Sequence, residues 1–92
     1  MNHHTTADFW DCYGRLPTAV QRLADAKYDV LRADPWHPSL HFKRVGRLWS
    51  VRVGKGYRAL AVAGDDGPVW FWIGSHAEYD RLLATAEGIA GG

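Results

Sequence analysis

Cysteine is nearly missing from this chain: Cys12 stands alone among 92 residues. One thiol closes no intrachain disulfide, so a disulfide-stapled framework is excluded, and the composition fits a reducing compartment. Long apolar runs are missing too. The most hydrophobic stretch, Val69-Trp70-Phe71-Trp72-Ile73, falls well short of the roughly 20 residues needed to cross a bilayer. The opening Met1-Asn2-His3-His4-Thr5-Thr6 has no basic segment followed by an apolar one, so it does not read as a leader. A cytoplasmic protein with no membrane partner is expected. Nucleotide-binding fingerprints are also absent: there is no GxxxxGK[ST] loop and no GxGxxG turn, and Gly54-Lys55-Gly56 is too short to be either. Metal signatures are equally thin. No HExxH motif occurs, and Pro38 between His37 and His41 keeps that pair from stacking on a helix. His3 and His4 could bind metal only adventitiously. No metal site and no cofactor is expected.

The most informative absence is local. Residues 41–62 contain no Asp or Glu, yet they carry six cations: Lys43, Arg44, Arg47, Arg52, Lys55 and Arg58. The flanking segments lean the other way, with four Lys/Arg against five acids in residues 1–40 and one against five in residues 63–92, so the whole chain carries only +1. A cationic block between two acidic ones points to an anionic partner, either nucleic acid or an acidic protein segment. The competing reading is that the flanking acids fold over the block and neutralise it.

What is present suits one small globular domain. Apolar residues make up 47% of the chain, enough to exclude disorder, and the aromatics include five tryptophans. Such bulky side chains can fill a small core and still leave an apolar patch for a partner. Leu48–Val53 and Tyr57–Leu60 alternate in polarity about Gly54-Lys55-Gly56, which predicts a β-hairpin. On its first strand Leu48, Ser50 and Arg52 share one face, with Trp49, Val51 and Val53 on the other. On its second strand Arg58 and Leu60 lie opposite Tyr57 and Ala59. Two arginines on a rigid sheet could grip a phosphate, because guanidinium forks match its oxygens and stay charged. Arginines on an open sheet face are also commonly just solvated. Local pattern does not separate the two readings.

Around the hairpin, residues 1–6 are expected to fray. Thr6 caps a helix that starts near Ala7 and aligns Phe9, Tyr13 and Leu16, with Cys12 beside them at the core. Pro17 ends this helix or opens a second, which runs to about Ala33 and is striped by Val20, Leu23, Ala24, Lys27, Tyr28 and Leu31. The connector Asp34-Pro35-Trp36-His37-Pro38 breaks it, and Leu40–Val45 reads as a strand. Gly64-Asp65-Asp66-Gly67-Pro68 is a turn, and Val69–Ile73 should be a central strand covered on both sides. Ser75 and Glu78 have capping-box spacing for a last helix from His76 to about Glu87, with Tyr79, Leu82, Leu83 and Ala86 along one side. The expected fold class is α+β: two N-terminal helices packed on one face of a small four-stranded, mainly antiparallel sheet, then a short C-terminal helix. His76, just beyond the last strand, suits general acid or base work; the plainer reading is a histidine bonded locally at a helix end. Tyr79, one turn on, is a core residue in the plain reading, and its hydroxyl could reach the same cleft.

These segments together resemble the RelE/ParE superfamily of bacterial type II toxin–antitoxin toxins. The likeness is carried by Phe9…Tyr13…Leu16-Pro17, by Asp34-Pro35…His37-Pro38-Ser39-Leu40, by Trp49-Ser50-Val51-Arg52-Val53…Tyr57-Arg58-Ala59-Leu60, and by Trp72-Ile73-Gly74-Ser75-His76-Ala77-Glu78-Tyr79-Asp80. It implies one toxin-like domain over residues 1–92, with its core at about 7–84. It implies a metal-independent endoribonuclease that cuts mRNA, on or off the ribosome, and a cognate antitoxin as partner. In that frame Arg58 is the principal phosphate-stabilising residue, Arg52 supports it, His76 is the acid or base, and Tyr79 orients or stacks a base. Lys43, Arg44, Arg47 and Lys55 supply further RNA or phosphate contacts. Two alternatives belong to the same resemblance: a non-enzymatic ParE-like gyrase inhibitor, and a catalytically inactive module that only binds its antitoxin. Glu78 and Asp80 flank the expected site, and no strand is expected ahead of the helices.

Overall fold

A computed structural model describes residues 2–91, with side chains through Ala84. The elements run β1 (His4–Thr5), α1 (Ala7–Gly14), α2 (Thr18–Ala33), a single 3-10 turn (Pro38–Leu40), β2 (Lys43–Val45), β3 (Leu48–Val53), β4 (Tyr57–Ala63), β5 (Pro68–Ser75) and α3 (His76–Gly91). The strands form one sheet in the order β1-β5-β4-β3-β2. β2, β3, β4 and β5 pair antiparallel in sequence, and β1 runs parallel to β5.

The expected four strands are therefore five, and the sheet is mixed. The fifth is β1, formed by residues expected to fray. It has no periodicity of its own and is tied down by contacts distant in the chain. The Thr6 amide donates to the Trp70 carbonyl at 3.0 Å, the Asn2 amide to the Asp66 carbonyl at 3.1 Å, and the Trp70 indole to His3 Nδ1 at 3.0 Å. His4 Nε2 lies 2.8 Å from Asp66. The long apolar strand β5 would otherwise present an unpaired edge here, and β1 covers it.

Local chemistry accounts for the helix starts. Thr6 Oγ1 accepts the Phe9 amide at 3.2 Å, and Pro17 precedes the first turn of α2. α1 packs on β5 and α2 on β3. Between helices and sheet lie Leu16, Leu31, Leu40, Phe42, Val51, Val53, Ala59, Ala61, Trp70 and Ile73, with Cys12 half-buried against them. Each large apolar side chain buried here contributes about 1.5–3 kcal/mol. Leu23 is more exposed than its place in the stripe suggests, but it packs against Gly54, whose φ of +66° the β3–β4 turn requires.

The last helix is longer than expected, running to Gly91 rather than to about Glu87, and it begins on the face of the sheet opposite α1 and α2. Tyr79 is buried there against Arg58, while Leu82 is exposed; Ala86 lies outside the described side chains. Among the described residues no helix is long and apolar enough to cross a membrane.

A bulge explains the unbroken apolar run of β5. Leu60 pairs with Trp72 and Ala61 with Trp70, so Phe71 is the extra residue. Trp70 consequently joins the helix-side core, while Trp72 turns to the other face and lies over Gly74.

Candidate functional site

The face of the sheet away from α1 and α2 carries the cations. β3 and β4 are paired so that Arg52 and Arg58 stand directly opposite one another. Strand alternation puts Ser50, Leu60 and Trp72 on the same face. Like charges placed opposite across a strand pair cost about 0.2–1 kcal/mol. Among the described residues neither arginine is in an ion pair, so nothing neutralises the two.

Each guanidinium is held differently. Arg52 Nε donates to the Gly54 carbonyl at 2.9 Å, and its Nη1 lies 3.5 Å from His41 Nε2. His41 reaches it because the chain turns there with φ of +47°, a left-handed conformation uncommon outside glycine. The Arg58 guanidinium carbon sits 5.6 Å from the Tyr79 ring centroid. Its Nη1 is buried and, among the described residues, has no hydrogen-bond partner, and neither has the buried Ser50 hydroxyl. A buried donor of a charged group left without an acceptor is costly, on the order of 1–3 kcal/mol or more.

The start of α3 completes the cluster. Ser75 Oγ accepts the Glu78 amide at 3.2 Å while Glu78 Oε1 accepts the Ser75 amide at 3.3 Å and its hydroxyl at 3.0 Å, a full capping box. The Glu78 carboxylate is thereby turned back on the helix terminus. The His76 amide donates to the Gly56 carbonyl at 2.8 Å, fastening the helix to the β3–β4 turn. The His76 ring lies 5.8 Å from the Tyr79 ring, and its Nδ1 is 3.2 Å from Asp80. An imidazole oriented by a carboxylate, next to a tyrosine stacked on a guanidinium, is an arrangement that can bind an anion and move a proton.

Of the residues singled out from the sequence, Arg52, Arg58, His76 and Tyr79 come together. Lys43 pairs with Ser50 and shares their face from the edge strand β2. Arg44 does not: it pairs with Trp49 and its guanidinium carbon lies 5.2 Å from that ring, on the helix side. Arg47 and Lys55 are exposed in the turns at opposite ends of β3, with Lys55 beside the start of α3. Asp80 was expected only to flank the site, although its i,i+4 spacing to His76 allows the contact seen here; His41 was not picked out for the site, and its place there depends on a backbone turn that no pattern announces.

The family model described as the ParE-like toxin domain matches residues 18–81. The chain is similar in fold to proteins in the RelB–RelE antitoxin–toxin complex of Methanococcus jannaschii, at TM-score 0.65 and 13% identity, covering 85% of this chain and 96% of that one. The corresponding values are 0.59, 16%, 82% and 96% for the toxin–antitoxin complex RelBE2 of Mycobacterium tuberculosis. For the RelE–RelB complex of Pyrococcus horikoshii OT3 they are 0.58, 18%, 80% and 92%. No curated protein sequence matches significantly.

Proposed function

Since the chain belongs to the ParE-like toxin domain family and is a toxin of the RelE/ParE superfamily, we propose that it acts as a metal-independent mRNA endoribonuclease. The observation that carries this reading is the opposed pair Arg52 and Arg58, unneutralised and on one face with His76 and Tyr79. In the reaction the ribose 2′-oxygen bonds to the adjacent phosphorus and the bond from phosphorus to the 5′-oxygen breaks. The products are a cyclic phosphate and a 5′-hydroxyl. Arg58 and Arg52 bear the negative charge that grows on the phosphoryl oxygens, a contribution of about 10²- to 10³-fold for one such donor. His76, steered by Asp80, carries one of the two proton transfers and solvent the other. Tyr79, buried beside Arg58, holds the guanidinium plane. Lys43 from β2 and Lys55 from the turn add phosphate contacts, and Arg47 extends the field.

The partner proposed is a cognate antitoxin, by likeness to the complexes named above, which each contain one. An acidic or amphipathic segment laid over the Arg52–Arg58 face would neutralise it. One observation favours a second reading: the matching family is described as ParE-like, which suits a non-enzymatic gyrase inhibitor. Expression in a bacterial host separates them. The ribonuclease reading expects growth arrest with transcripts cut to 5′-hydroxyl ends, both abolished in Arg58→Ala. Supercoiling inhibition with intact RNA supports the gyrase reading. A protein that binds antitoxin tightly yet neither slows growth nor cuts RNA is an inactive module, and the proposal fails.

A further inference from the structure

The cationic segment also has an outer side, which the site above does not use. Trp36 is 64% exposed, the most exposed large apolar side chain among the described residues. It is nonetheless held firmly. Its amide donates to Asp34 Oδ1 at 3.2 Å, the His37 amide donates to the Asp34 carbonyl at 3.0 Å, and Pro35 and Pro38 restrict the connector on both sides. Its ring lies 5.2 Å from Phe42 and 6.3 Å from Trp49, and Phe42 and Trp49 are 4.8 Å apart. Arg44 lies over Trp49. Trp36 and the Arg44 guanidinium thus both lie against Trp49, near the edge strand β2.

We propose that Trp36 and Arg44 form a stacking platform for single-stranded RNA next to the cleaved linkage. Three features choose this occupant. The segment from His41 to Val62 has six cations and no acid; Arg44 stands on the platform's side with Asp34 at its rim, and Lys43, Arg52 and Arg58 attract the same polyanion from the other face of the edge. Aromatic faces alternate with cations, the combination by which single strands are held, since every base has a face to stack. The route is also short. Arg58, Arg52 and Lys43 occupy neighbouring strands β4, β3 and β2, spaced about 4.8 Å apart, so about 10 Å separates the principal phosphate site from the sheet edge. His41, joined to Arg52, marks that edge on the way to Trp36.

The inference rests on the ribonuclease reading, and one titration tests the two separately. A labelled single-stranded RNA, made uncleavable by 2′-O-methylation throughout, is titrated against the full chain and its Trp36→Ala, Trp36→Phe and Arg44→Ala variants, with melting temperatures measured in parallel. Trp36→Ala is expected to weaken binding by about 5- to 150-fold, the range for losing one base stack. Its melting temperature and the salt dependence of binding stay as in wild type. Trp36→Phe recovers most of the affinity, and Arg44→Ala lowers the salt slope. Wild type that binds and Trp36→Ala that binds equally overturn this inference alone. Wild type that binds no RNA at all overturns the ribonuclease reading, and this inference with it. A Trp36→Ala variant that keeps RNA affinity but loses a co-expressed antitoxin reassigns the patch to a protein partner and also overturns it.

Discussion

Replacing Arg58 by methionine should separate what the residue does for the fold from what it does for the chemistry. Methionine keeps a flexible apolar stem of similar length and removes the guanidinium. The protein then loses the contact with Tyr79, worth about 0.5–2 kcal/mol. It is relieved of a buried Nη1 without an acceptor, at about 1–3 kcal/mol, and of repulsion from Arg52, at about 0.2–1 kcal/mol. The balance favours Arg58→Met by on the order of 1 kcal/mol, equivalent to a rise in melting temperature of about 4–8 °C for a domain this small. Transcript cleavage should fall by at least about 10²-fold. Thermal melting and urea titration measure the first effect, and product analysis of a synthetic RNA the second. A variant that melts well below wild type would show that the guanidinium is a structural group and refute the reasoning. So would full cleavage by a stable variant.

Leu40, fully buried between the 3-10 turn and β3, should cost about 2–5 kcal/mol on truncation to alanine, read as a drop in urea midpoint; a loss under about 1 kcal/mol would mean the site collapses freely. Ser75→Ala breaks the capping box and should lower stability by about 0.5–2 kcal/mol while slowing cleavage, because the same turn seats His76. Burial, together with the nearby N-terminus and His4, holds the His3 imidazole below its ordinary value of 6.5, in keeping with its neutral Nδ1 accepting the Trp70 indole. The folded state therefore binds fewer protons than the unfolded one. His3 contributes stability that is full above pH 6.5 and lost as pH falls toward its lowered value. His3→Gln should flatten the melting temperature between pH 7 and 5; an unchanged slope would refute the assignment. Asp66, held low by Asn2 and His4, adds a separate loss only below its ordinary 3.8.

The strands that could be read directly were those with a visible period. Alternation along Leu48–Val53 and Tyr57–Leu60 correctly divided arginines from valines and alanine, though the second strand runs on to Ala63, and the capping residues Thr6 and Ser75 located two helix starts. β1 was illegible because His4 and Thr5 are polar, short and held by partners about 60 positions away. The side from which α3 departs was illegible because Val69–Ile73 is apolar throughout, and a run without alternation has no phase to read. Spacing placed Arg52 and Arg58 off the valine and alanine face of the hairpin, but left open whether they grip a phosphate or are simply solvated. Arg44 was grouped with them by charge, but it belongs to the opposite face, where its neighbour is Trp49. His76 and Tyr79 sit on a different element from the arginines, and only folding brings them near.

The surplus residue Phe71 has a reach beyond its own position. It sets the parity of everything after it: with the bulge, Ile73 points inward and Gly74 lies opposite Arg58. Taken into the ladder as a regular residue, Phe71 would put the remainder of β5 half a period out of step, with Ile73 delivered to solvent and the polypeptide launched toward the helical layer. The imidazole of His76 would then be carried away from the guanidiniums. Deleting Phe71 would instead make Trp70 and Trp72 consecutive in the ladder and leave the cluster in place, so the site depends on this residue being bulged out and not on its presence.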